Sequence, residues 1–259
     1  MFFQTVIFFQ SLLFLFVLET ATSNSLGNYL AKMLLTSGWW LVIGGFLAVA
    51  CYFYFFSRRL AGSIKSHSIV FVFFISSLGL LYFVNSVIEQ NILIGILTGA
   101  FYFLELAFYR LHKYKKDKTA LGIFSAASVA SMFLFYAFSL AAYLNFAIPI
   151  WFLMVAFLLV TTSVSYQSFY LLIEDKKKAI NFALVIGFAM AEIAWLINFW
   201  PFGYLTTAVI SLIFYYVFWD MMQSNFSGDL TKQRVLAHLI SLSVMLLMVL
   251  TSSHWLPVF

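Results

Sequence analysis

Four ionisable residues stand inside long apolar runs of this chain: Glu105, Glu192, Asp220 and His238. A charge held within a bilayer costs a few kcal/mol on insertion scales, so each of them needs a partner, a wet cavity or protonation. At a rise of about 1.5 Å per helical residue, Glu105 and His238 each lie about 8 Å above the inner ends of their helices. Asp220, about 27 Å from the outer end of its own helix, reaches a similar depth. If their helices are neighbours, these three side chains could gather as a proton relay or cation site. The competing reading is a set of snorkelling side chains paired with Arg110, Lys232 or Arg234 at the interface.

Glu192 differs. It lies about 20 Å from the inner end of its helix, past the midplane and too far from Asp220 for an acid–base dyad. Its i+3 and i+7 neighbours, Trp195 and Phe199, place it on an aromatic stripe, and Asn198 opens the turn that follows. No Lys or Arg lies within its span. The expectation is that Glu192 faces the bundle interior, bonded to Tyr82, Asn85, Tyr143, Tyr204 or Thr207. Such a bond would be glue between helices or part of a functional site. The candidate binding residues are therefore Glu192, Trp195, Asn198, Glu105, Asp220 and His238.

Catalytic motifs are missing. The chain has no phosphate-binding glycine loop, no dinucleotide fingerprint, no HExxH and no Cys/His set with metal-ligand spacing. It lacks the Asp-Asp-x-x-Asp of prenyl-diphosphate enzymes and the intramembrane lysine of retinal proteins. The single cysteine, Cys51, can form neither a disulfide framework nor a thiolate metal site. No catalytic residue, cofactor or metal is expected.

The elements that must position these residues are helices. Of 259 residues 64% are hydrophobic and 9% charged, against about 25% charged in soluble domains, and the mean hydropathy is +1.01. Several apolar runs exceed the roughly 20 residues that cross a bilayer as helix. The alternating segments of a membrane barrel are absent. The fold class is all-α: a polytopic transmembrane bundle forming one integral membrane domain over 1–259. Nine spans are predicted, the first over Phe2 to Leu18, then 37–57, 68–88, 90–110, 120–144, 148–172, 179–199, 202–222 and 233–253. The rival for the first run is a signal peptide, which its missing basic segment and poor cleavage site argue against. Residues 19–36 form a polar connection.

Of the 14 Lys and Arg residues, 13 fall in alternate loops, with Lys32 the exception. By the positive-inside rule those loops are cytoplasmic, the N-terminus is inside and Ser252 to Phe259 outside. A bacterial or archaeal cytoplasmic membrane is the expected location. The intervening turns are tight, which predicts antiparallel hairpins over 68–110, 120–172 and 179–222, turning near Asn85, Asn145 and Asn198. A duplicated two-helix unit accounts for this; so does chance likeness among hairpins with interfacial aromatics. Ser125, Ser128 and Ser131 with Ala126, Ala127 and Ala130 suggest a close packing face.

Three function classes follow. The leading one is a membrane-embedded binding or assembly subunit contacting lipids and other membrane proteins, with no nucleic acid partner. A small-solute or proton-coupled transporter using Glu192 and the Glu105/Asp220/His238 cluster is the second. A lipid-modifying membrane enzyme is the third.

Overall fold

In a computed structural model, the structure describes residues 2–22, 39–61, 68–114, 117–172, 175–226, 228 and 230–252. Of the polar connection expected over 19–36, residues 19–22 are helical, and 23–36 lie outside the described residues together with Lys65, His67, Lys115, Lys116 and the terminus with His254. The described residues contain nine α-helices and no strand. They are α1 (Phe2–Thr22), α2 (Trp39–Ala61), α3 (Ser68–Phe83), α4 (Val87–Lys113), α5 (Lys118–Phe146), α6 (Ile150–Leu172), α7 (Lys176–Ile197), α8 (Tyr204–Phe226) and α9 (Lys232–Ser252). Seven of them are long and apolar enough to cross a membrane. Nine helices match the nine predicted spans in number, but α2 and α3 are not among the seven, and α3 is apolar with only 16 residues, fewer than a perpendicular crossing needs.

Local chemistry fixes several helix ends. Ser86 caps α4, its hydroxyl accepting from the amide of Glu89, and the Asp175 carboxylate caps α7 by accepting from Lys177 and Lys178. These side chains satisfy amide donors that the first helical turn leaves unbonded. At the end of α5, Ala147 adopts φ 49°, the left-handed conformation that commonly closes a helix.

Asp117 caps α5 in the same way, accepting from the amides of Thr119 at 3.0 Å and Ala120 at 3.2 Å. Its other oxygen meets the Arg110 guanidinium at 2.8 Å and so ties the end of α4 to the start of α5. The amide of Ala120 first, and then the Arg110 charge, hold this carboxyl below its ordinary value of 3.8. A lowered folded-state value means the contribution is complete above the ordinary value and is lost as pH falls through the lowered one. Asp117→Asn is therefore expected to lower the melting temperature by a few degrees at neutral pH. It should also flatten the acid limb of a melting-temperature profile measured in detergent.

The chain forms two compact units, Met1–Ala127 and Ser128–Phe259. In the first, α1 pairs most extensively with α4, and α2 packs on α3 and α4. Its centre is aromatic. Phe14 stacks on Phe101 at 4.5 Å between ring centroids, and Phe53 meets both of them edge-on. All three rings are fully buried.

In the second unit the principal pairing is α6 with α7; α8 packs on α7, and α9 packs on α8. The α6–α7 contact depends on Gly187: a Cβ there would collide with the Thr162 side chain and sit 3.0 Å from the Leu158 carbonyl oxygen. From α5, Tyr136 reaches across to α6, stacking near Phe157 and sharing a 3.1 Å hydrogen bond with the Thr161 hydroxyl. The packing face expected on α5 holds in part. Ser128 and Ser131 are buried, whereas Ala126 and Ala130 are exposed.

Candidate functional site

In the first unit, Glu105 projects from the buried face of α4 shared by Phe101, Leu104 and Phe108. It is completely buried, so the snorkelling reading is corrected. Arg110, one of the basic partners that reading named, is engaged by Asp117 instead. The Ser57 hydroxyl, itself fully buried on α2, donates to Glu105 Oε1. Glu105 Oε2 is buried without a hydrogen-bond partner. A carboxyl oxygen buried without a hydrogen bond is costly to leave in such a place. Ser57 was overlooked in the sequence. Its signal is position, immediately before Arg58 and Arg59 in the last turn of its helix, as Glu105 lies shortly before Arg110 in the last turn of α4.

In the second unit, Asp220 on α8 and His238 on α9 come together, with Asp220 Oδ2 3.4 Å from His238 Nδ1. These two members of the expected three-residue cluster share one place, while Glu105 is accounted for within the first unit. Both side chains are partly exposed, yet His238 Nε2 is buried and lacks a partner. A carboxylate at Nδ1 orients the ring.

Above this pair, α8 presents Thr207, Ser211, Tyr215 and Trp219 to the interior at intervals of four residues, all of them buried. Thr207 and Ser211 donate back to the carbonyls of Gly203 and Thr207. The Tyr215 hydroxyl and the Ser165 hydroxyl of α6 approach one another without reaching hydrogen-bond geometry. Trp219 Nε1 is likewise buried without a partner. This ladder was missed because Tyr and Trp read as interfacial aromatics; the four-residue spacing was the signal.

Glu192 requires a correction. It is exposed on α7, with no polar partner among the described residues, rather than turned into the bundle. Of the partners expected for it, the Tyr143 hydroxyl donates instead to the Asn198 side-chain oxygen at 2.5 Å, and Thr207 bonds to Gly203. The physical reason is the opposite face of the helix. Ala179, Ala183, Gly187, Ala191 and Ala194 are buried, and small residues let neighbouring backbones approach closely. That packing turns Glu192 outward together with Trp195 and Phe199, whose rings meet edge-on at 5.3 Å. Asn198 ends α7 and joins its turn to the end of α5 through Tyr143.

Among the described residues no three His, Cys, Asp or Glu side chains gather closely enough to hold a metal ion. No curated protein and no solved structure matches the chain. A family model does match, over residues 57–252, from Ser57 near the C-terminal end of α2 to the last residue of α9. The matched segment contains Glu105, Glu192, Asp220 and His238 together. On that match, which covers most of its length, the chain belongs to the DUF5656 family, whose description is a protein of unknown function.

Proposed function

We propose that this helical, membrane-type protein is an assembly subunit that binds another membrane protein through the outward face of α7. The observation that carries the reading is Glu192, an exposed carboxyl in the second half of an apolar helix with no polar partner among the described residues. Facing lipid as a charge it would cost energy, though less than the roughly 2.5–3.5 kcal/mol that insertion scales give at a helix centre, since Glu192 lies five residues from the end of α7. As a neutral acid it would still carry a hydroxyl and a carbonyl needing hydrogen bonds. A protein surface supplying those bonds removes the cost. The basic loops, in this reading, face the cytoplasm of a bacterial or archaeal cell.

Replacement of Glu192 separates the two environments. Against a protein partner, Glu192→Gln keeps a donor and an acceptor and should preserve the assembly seen by native mass spectrometry in mild detergent. Glu192→Leu should dissociate it, with a loss of tenfold or more in affinity. Against lipid, Glu192→Leu would instead raise the melting temperature and leave the mass unchanged, which would refute the reading.

A second reading, proton-coupled movement of a small solute, draws on the buried Glu105 and on His238 Nε2 beside Asp220. Glu105→Gln and Asp220→Asn discriminate: assembly survives both, whereas coupled transport in proteoliposomes is lost.

A further inference from the structure

Three buried side chains of the first unit, Gln10, Ser57 and Glu105, stand at one level. Helices α1 and α4 run antiparallel, since Phe14 stacks on Phe101 and Phe3 on Tyr109. Gln10 lies one turn from Phe14 toward Phe3, and Glu105 one turn from Phe101 toward Tyr109. Both therefore fall between the two stacks. From α2, Phe53 meets Phe14 and Phe101, and Ser57, one turn further on, reaches Glu105. The three polar residues thus lie on the same side of one aromatic cluster, each on a different helix.

Oxygen is what they leave unbonded. The Gln10 amide nitrogen donates to the Tyr52 hydroxyl at 2.7 Å, and Gln10 Oε1 is buried without a partner. Glu105 Oε2 is buried in the same condition. Neither atom satisfies the other, because an amide oxygen and a carboxylate oxygen both accept. The Ser57 hydroxyl donates to Glu105 Oε1 and keeps lone pairs of its own. Among the described residues no basic side chain pairs with Glu105, and Arg110 on the same helix is held by Asp117. Buried charges are paired or bind a metal ion.

From this placement we infer that the first unit binds one alkali cation between α1, α2 and α4, on Gln10 Oε1, Ser57 Oγ and Glu105 Oε2. Charge decides the class. A single carboxylate balances a single positive charge, whereas a divalent ion would leave net charge in an apolar interior. A water molecule would donate to both free oxygens but leave the carboxylate uncompensated. The donor set is all oxygen, which suits hard cations and offers softer metals neither thiolate nor imidazole. Gln10, whose amide reaches the exposed Tyr52, marks the side by which the ion enters. The site lies within the first unit and is independent of the assembly reading of α7.

The test melts the full chain in mild detergent with lithium, sodium, potassium or choline chloride at one ionic strength. At least one alkali salt should raise the melting temperature by several degrees over choline, with saturable dependence on concentration. Equilibrium dialysis should find a single such ion bound per chain. Glu105→Gln, which keeps an acceptor for Ser57 but no charge, should abolish the shift. Gln10→Leu should weaken binding several-fold while melting stays cooperative, and Glu192→Gln in the second unit should change nothing. Equal melting in all four salts would overturn the inference: a proton, or the Gln10 amide turned to donate, would then satisfy Glu105. A cation-dependent shift that survives both Glu105→Gln and Gln10→Leu would overturn it as well, and neither result bears on α7.

Discussion

Ser57→Ala is expected to destabilise the first unit by about 1–3 kcal/mol, because it removes the one hydrogen bond made by a fully buried carboxyl. The geometry makes the loss hard to repair. Glu105 is enclosed by the α4 residues Leu104 and Phe108 and lies one turn from the Phe14–Phe101–Phe53 cluster. No other polar side chain stands ready, since Oε2 is already without a partner. Glu105→Leu alone should also destabilise the fold, for the converse reason: the buried Ser57 hydroxyl loses its acceptor. The double variant Ser57→Ala/Glu105→Leu removes both polar groups at once and should recover most of the loss, as replacement of both partners by apolar groups commonly does. Unfolding curves for the four proteins in a mixed detergent series form a double-mutant cycle. Losses that simply add in the double variant would show that Ser57 and Glu105 do not depend on one another.

Gly187→Leu is the second large effect, expected to cost about 1–3 kcal/mol or more. Even a single Cβ at this position meets the Thr162 side chain and the Leu158 carbonyl. Thr162 can rotate away, but Leu158 contributes backbone that cannot move without displacing α6. A leucine must therefore separate α6 from α7, the most extensive pairing in the second unit. Gly187→Ala should fall between wild type and leucine, because a rotated Thr162 relieves part of the collision. The order Gly, Ala, Leu in melting temperature is the expected result. Equal stability across the three would contradict the close approach.

The existence of the helices was legible in the sequence because long apolar runs act locally, whereas their ends were less so: the predicted span 68–88 runs past Phe83, and the caps Ser86 and Asp175 went unread. The pairings of α1 with α4 and α6 with α7 were not legible. A helix apolar on every side has no polar face to exclude, so its pattern does not point at its neighbour. Size then replaces polarity as the signal. Ala179, Ala183, Gly187 and Ala191 recur every four residues and mark the face of α7 that packs. Assigning Glu192 to the interior weighed its charge and left that stripe aside. Asp220 and His238, by contrast, were placed together from depth alone, and the structure brings them within 3.4 Å.

The proposed function requires that protein rather than lipid cover the face of α7 that carries Glu192. The most direct measurement installs a photoreactive benzoylphenylalanine at Trp195, one turn from Glu192 and half exposed, and irradiates intact membranes. Trp195 shares the exposed face of α7 with Glu192, so its adduct reports what lies beside the carboxyl. A protein adduct, abolished by Glu192→Leu and kept by Glu192→Gln, is the predicted result; adducts with lipid alone, indifferent to residue 192, would contradict it.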